Sequence, residues 1–100
     1  MKNFLMCEPG FFEVRYVINP WMEGNLGKVN KGLAKQQWQN LYSVLMRLAS
    51  ISLIEPVSGL PDMVFTANAG LARGKEFIVS SFHHAERQPE ANFFENFFSP

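Results

Sequence analysis

The sequence predicts an α/β fold, a mixed sheet with one long amphipathic helix. Three observations lead there. Apolar residues recur at spacings of three and four between Ala34 and Leu48, which is the period of one helix face. Runs of β-branched and aromatic residues at 11–18, 51–55, 64–72 and 76–82 surround that segment and read as strands. Turn chemistry at Asn19-Pro20, Ser58-Gly59 and Arg73-Gly74-Lys75 separates the runs.

In chain order, Phe11 to Ile18 reads as the first strand, closed by Asn19-Pro20 because a residue before proline leaves the helical region. Residues 1–10 carry only a short apolar patch, broken at once by Glu8-Pro9. Trp21 to Val29, with two glycines, reads as a loop. Asn30 is a natural N-cap, and Ala34, Trp38, Leu41, Leu45 and Leu48 then form the predicted covered stripe. Ile51 to Glu55 is a short buried strand ending at Pro56. Val64 to Ala72 and Glu76 to Phe82 are predicted to pair as a hairpin. His83 to Ala91 is a polar loop, and Asn92 to Phe98 has the length for one or two helical turns.

One hundred residues suit one small domain, burying roughly two thirds of its unfolded surface. Hydrophobic content of 47% with ten Phe is rich for that length. Nine basic residues balance nine acidic ones, so neither nucleic acid nor an anionic membrane is an expected partner. No apolar run approaches the roughly 18 residues that span a bilayer. The single cysteine excludes an internal disulfide and suits a reducing cytoplasm.

The most informative stretch is Gly59-Leu-Pro-Asp-Met-Val-Phe-Thr-Ala-Asn-Ala-Gly70, in which one carboxylate and one amide stand among apolar and small residues. With Tyr16-Val-Ile-Asn-Pro-Trp-Met22, and with Gln36-Gln-Trp38 and Leu41 in the helix, it resembles the N-terminal substrate-binding segment of the guanidine-modifying enzyme superfamily. That superfamily holds amidinotransferases, arginine deiminases, dimethylarginine hydrolases and arginine dihydrolases. Asn68, where many members carry Asp, resembles the arginine dihydrolase branch most. The resemblance runs from about Cys7 to Phe97 and implies an α/β propeller (pentein), in which five sheet-and-helix units surround a central site. Residues 1–100 would then be an N-terminal fragment of one amidinotransferase-like propeller domain, about one unit of it. A lone unit leaves strand edges and apolar faces open, so self-association through sheet edges is also expected.

If residues 62–68 were a straight strand, Asp62 and Asn68 would lie about 20 Å apart at roughly 3.3 Å per residue, too far for one guanidinium to touch both. Either the chain folds back at Pro61-Asp62, or the two read different ends of a longer ligand. The resemblance implies the second for arginine: Asp62 facing the α-amino group and Asn68 the guanidinium. It further implies that Arg87 holds the substrate carboxylate, Phe65 packs on the alkyl chain, and Asn19 lies near the reacting group. Each has a plainer alternative. Arg87 is also placed to pair with Glu86 or Glu90, Phe65 to sit in a core, and Asn19 to close a turn. A carboxylate at 68 would bind a cation and exchange protons; an amide does neither, but it both donates to and accepts from a neutral urea group. A citrulline-like intermediate could then be held for a second hydrolysis, to ornithine, two ammonia and carbon dioxide. Ala67 lacks the acid some hydrolases carry beside that position, which argues against a dimethylarginine hydrolase.

In complete relatives a cysteine attacks the guanidinium carbon while a histidine works as acid and base, with no metal or cofactor. Cys7 precedes a Glu-Pro-Gly turn with no basic neighbour, and with His83-His84 it matches neither a thiol–imidazole pair nor a zinc site. The expected function is therefore the arginine-binding part of an amidinotransferase-like guanidine hydrolase, catalytically inert by itself. The alternatives are a non-catalytic arginine-binding or protein-interaction module, and an activity completed by residues supplied in trans.

Overall fold

The computed structural model describes residues 2–99. Among these residues the regular elements are two small sheets, two α-helices and two short 3₁₀ turns. Strand β1 (Asn3–Cys7) is followed by helix α1 (Lys31–Leu45) and strand β2 (Ser50–Ile54). β1 and β2 pair in parallel, with Asn3 opposite Ser50 and Cys7 opposite Ile54. A parallel pair needs a crossover, and α1 with its flanking loops supplies it. Two 3₁₀ turns, Pro61–Val64 and Thr66–Asn68, then lead into β3 (Gly70–Arg73) and β4 (Glu76–Val79), an antiparallel hairpin. Helix α2 (Glu90–Phe98) closes the described chain.

Local chemistry explains most of these elements. Asn30 caps α1 as expected, its side-chain oxygen accepting from the Leu33 N–H at 3.0 Å. Gly74 (φ +59°) turns the hairpin within two residues, a conformation glycine adopts without steric cost. The core lies between the parallel pair, the 3₁₀ turns and α2: Cys7, Ile54, Leu60, Met63, Ala69 and Phe94 are buried together, with Leu5, Val57, Phe77 and Val79 packed on them. Thr66 Oγ1 donates to the Leu5 carbonyl at 2.7 Å and fastens the second turn to β1.

Several expectations need correction. Phe11 to Ile18 forms turns and extended loop, not a strand. Phe12 N–H donates to Pro9 O, and Val14 O accepts from Gly27 N–H at 2.9 Å. Alternation along this run is nevertheless used: Phe12, Val14 and Ile18 line a cavity, and Tyr16 bonds to a residue of its wall. The strand that pairs with β2 is instead Asn3–Cys7, within the short apolar patch before Glu8-Pro9 that was not read as a strand.

The predicted strand from Val64 to Ala72 is mostly 3₁₀ turn, with β3 beginning only at Gly70, so Asn68 does not sit inside a strand. On α1, the half-buried side holds Ala34, Trp38, Tyr42 and Leu45, continuing to buried Ala49. Leu41 and Leu48 lie on its flank and are exposed. Nothing on α1 is fully buried. Further apolar groups stay open on the hairpin, where the cross-strand pair Leu71 and Ile78 both face outward. α2 begins at Glu90, two residues earlier than expected.

Gly70 is where β3 meets β4 most closely. A Cβ there would stand 2.2 Å from the Ile78 carbonyl oxygen. Gly70→Ala is expected to destabilise the chain by about 2 kcal/mol, lowering Tm by roughly 10 °C in thermal denaturation.

Candidate functional site

A cavity of about 540 Å³ opens between the 12–29 loop, the 3₁₀ turns and the segment preceding α2. All five residues singled out in the sequence line it: Asn19, Asp62, Phe65, Asn68 and Arg87. The 3₁₀ turns make this possible. Each folds the chain back within three or four residues, through Phe65 N–H to Asp62 O and Asn68 N–H to Phe65 O, both at 3.0 Å. The chain therefore folds back between Asp62 and Asn68, and both line one cavity.

The polar groups form one network. Arg87 donates from Nη1 to Asn68 Oδ1 at 2.9 Å and from Nη2 to the Asp62 carbonyl at 3.1 Å. Its Nε and Nη2 also donate to the two carboxylate oxygens of Glu90, each at 2.9 Å. The guanidinium lies 4.6 Å from the Phe82 ring centroid, within cation–π range. Burial works against the Arg87 cation, but the hydrogen bonds and charge of Glu90, with the field of Asp62, hold its pKa above the ordinary value. Arg87 thus does pair with Glu90, yet as a buried hub of the cavity wall and not as a solvated surface pair.

Asp62 is 3% exposed, and its Oδ2 accepts from the Tyr16 hydroxyl. Desolvation, then the hydrogen bond to Asp62 and that carboxylate's charge, push the Tyr16 phenol well above its usual range. Asn68 keeps its main chain in place through a hydrogen bond from Ser80 Oγ to its carbonyl. Asn19 does form a turn, its Oδ1 accepting from Met22 N–H at 3.0 Å, and it lines the cavity as well. Phe65 is 47% exposed and meets Phe12 edge-on at 5.6 Å between centroids, so it is not a core residue. Trp21 and Lys28 complete the outer wall.

Sequence reasoning passed over Tyr16, and named Glu90 only as a surface partner of Arg87. A tyrosine hydroxyl that is taken out of water needs a partner, but nothing in a single sequence pairs position 16 with position 62. Glu90 carried a signal: it stands three residues after Arg87, a spacing that brings side chains together where a helix begins.

The reactive-looking groups lie elsewhere. Cys7 is in the core, away from the cavity, with its thiol pushed up to about 12 by burial first and then by Glu8, Glu90 and Glu55. His83 and His84 meet edge to face, with ring centroids 4.9 Å apart, and are not part of the cavity wall. Among the described residues no group of His, Cys, Asp and Glu is arranged to hold a metal ion. No helix among them is long and apolar enough to cross a membrane.

No family model matches the chain. Among characterised proteins, the bifunctional arginine dihydrolase/ornithine cyclodeaminase AgrE of Nostoc sp. is 50% identical over 96 residues, covering 96% of this chain and 14% of its own. The enzyme of the same description from Synechocystis sp., ArgZ, is 48% identical over 96 residues, again 14% of its length. An N(G),N(G)-dimethylarginine dimethylaminohydrolase of Mycobacterium tuberculosis is 40% identical over 99 residues, 98% of this chain and 32% of that enzyme. The chain thus spans well under half of each of these relatives. Among solved structures, the N-terminal domain of ArgZ bound to product superposes with a TM-score of 0.92 at 48% identity, covering 94% of this chain and 34% of that one. AgrE with ornithine and NAD+ superposes with a TM-score of 0.94 at 50% identity, covering 96% and 14%. An α/β fold shared with these N-terminal domains follows from both.

The two upward-shifted groups give a pH prediction. Cys7 and Tyr16 keep their protons to higher pH in the folded chain than in the unfolded one, whose values are near 9.0 and 10.0. Their contribution is complete below those values and is lost as pH rises above them. Urea denaturation is expected to show stability falling from about pH 9 upward, by as much as ~1.4 kcal/mol per pH unit for each group. Tyr16→Phe should be less stable at neutral pH but flatter above pH 10.

Proposed function

Because the chain belongs to the family of the arginine dihydrolases and dimethylarginine hydrolases, matching their N-terminal part, we propose that its cavity is the amino-acid-binding wall of a guanidine hydrolase acting on arginine. The observation that carries this reading is the convergence of an acid, an amide and a cation on one hollow that an aromatic ring also lines, Asp62, Asn68, Arg87 and Phe65. Its volume, about 540 Å³, lies within the range of small-molecule sites.

In this reading Asp62 attracts the α-ammonium group with its second carboxylate oxygen, since Oδ2 is held by Tyr16. Phe65 covers the alkyl chain, and Asn68 meets the planar nitrogen end, with Asn19 beside it. Arg87 meets the α-carboxylate through Nη1 alone, because Glu90 occupies its Nε–Nη2 edge. An amide at 68 suits both a guanidinium and the neutral ureido group left by a first hydrolysis. Two waters then convert arginine to ornithine, two ammonia and carbon dioxide; release after one step would give citrulline. The attacking thiolate and the histidine acid/base would come from outside these hundred residues, since Cys7 is buried and keeps its proton. We place the chain as about one unit of a propeller domain in the cytoplasm. Its open faces, Leu71 and Ile78 on the hairpin and Leu41 and Leu48 beside α1, favour docking against further polypeptide, whether its own or another copy's.

Calorimetry of the chain with L-arginine tests the reading, with heat expected at millimolar ligand. Asp62→Asn should weaken L-arginine about tenfold and affect ligands without an α-amino group less. Asn68→Ala should weaken binding while leaving Tm within a few degrees. No heat from the parent chain, or equal losses for both ligand classes, would overturn it.

A further inference from the structure

We propose that Glu90 is a positioning residue: by gripping Arg87 on two atoms it fixes which way round the Asn68 carboxamide stands at the cavity wall. Glu90 opens α2 and is 0% exposed. A carboxylate so placed is tolerable only when paired, and Arg87 supplies the pairing with two bonds of 2.9 Å. Two parallel bonds define the plane of the guanidinium and not merely its position. The Phe82 ring, 4.6 Å away, covers one face of that plane. The Asp62 carbonyl takes a further Nη2 hydrogen.

Nη1 is then the edge left to face the cavity, and it donates to Asn68 Oδ1 at 2.9 Å. A guanidinium has donors and no acceptor, so it admits the carboxamide in one orientation only. The oxygen is held toward Arg87, and the NH₂ group is turned away from it. Without Glu90 the guanidinium would keep only the single Asp62 bond and the Phe82 face, and the contact that distinguishes the two ends of the carboxamide would loosen. Where this bears on a ligand it rests on the proposed function: the oriented amide would offer N–H donors to an acceptor such as a ureido oxygen, and the remaining lone pair of Oδ1 to a guanidinium N–H.

Side-chain nuclear magnetic resonance on the ¹⁵N-labelled chain tests the inference without any ligand. Glu90→Gln keeps the shape and withdraws one acceptor from the grip. It should speed exchange of the Arg87 Nε–H with water by about tenfold or more and shift the Asn68 side-chain NH₂ resonances, while backbone resonances of β1 and β2 stay in place. Unchanged Asn68 NH₂ resonances in a folded Glu90→Gln chain would overturn it. Should that variant not fold, Arg87→Lys carries the same test. A single ammonium can stay with Glu90 but cannot also span to Asn68, so the same shift is expected and its absence is equally decisive. Titration of the parent chain with L-arginine and L-citrulline separates the two readings. If Glu90 governs Asn68 but neither ligand moves the Asn68 resonances at millimolar concentration, the positioning role stands and the functional reading fails.

Discussion

The cavity depends on a charge that has been taken out of water. Arg87 is buried, and so is Glu90, and each makes the other's burial possible. An ion pair of this kind contributes little net stability compared with an apolar pair of the same shape. Its consequence here is geometric. One planar group ties the start of α2 to both 3₁₀ turns, through a main-chain oxygen at 62 and a side-chain oxygen at 68. Residues far apart in the chain are thereby held at hydrogen-bond distance from one point.

The 3₁₀ turns are the second constraint. Two short turns joined at Phe65, which is itself outside both, bring Asp62, Phe65 and Asn68 to one cavity. Met63 and Ala69 fall on the opposite side and enter the core. The same short segment therefore supplies core packing with one face and cavity lining with the other. Tyr16 adds a clamp on Asp62 from the 12–29 loop, so the acid is held from outside its own segment. The wall that results is polar at the base, where Asp62 and Arg87 are buried, and apolar around it.

The chain's apolar surface is divided unevenly. Phe94, Met63 and Cys7 are fully covered, whereas Leu48, Leu71, Ile78 and Trp21 remain open to solvent. Each sheet has two strands among the described residues, too few for a sheet to be stable by itself. Packing of the hairpin against α2, seen in the stacked rings of Phe77 and Phe98 at 4.0 Å, gives β4 an apolar neighbour.

Local patterns alone determined a good part of this molecule. The Asn30 cap, the helix after it, the strand near Ile51, the hairpin turn at Gly74 and the α/β class follow from side-chain spacing and turn chemistry, which act over a few residues. The resemblance of three short segments pointed to a family and to five residues, and those five share one cavity. Tertiary structure decided the rest. Phe11 to Ile18 alternates like a strand, but alternation says only that one face is covered, not whether a strand or a cavity covers it. Residues 61–69 have strand-like composition, yet burying Met63 and Ala69 while bonding Arg87 favours the tighter winding. Which strand pairs with β2, which flank of α1 is covered, and that Tyr16 clamps Asp62 and Arg87 reaches Asp62 and Asn68 are all contacts between distant segments. A sequence encodes such contacts only through the folded whole, because the energy of each depends on every other segment arriving in place.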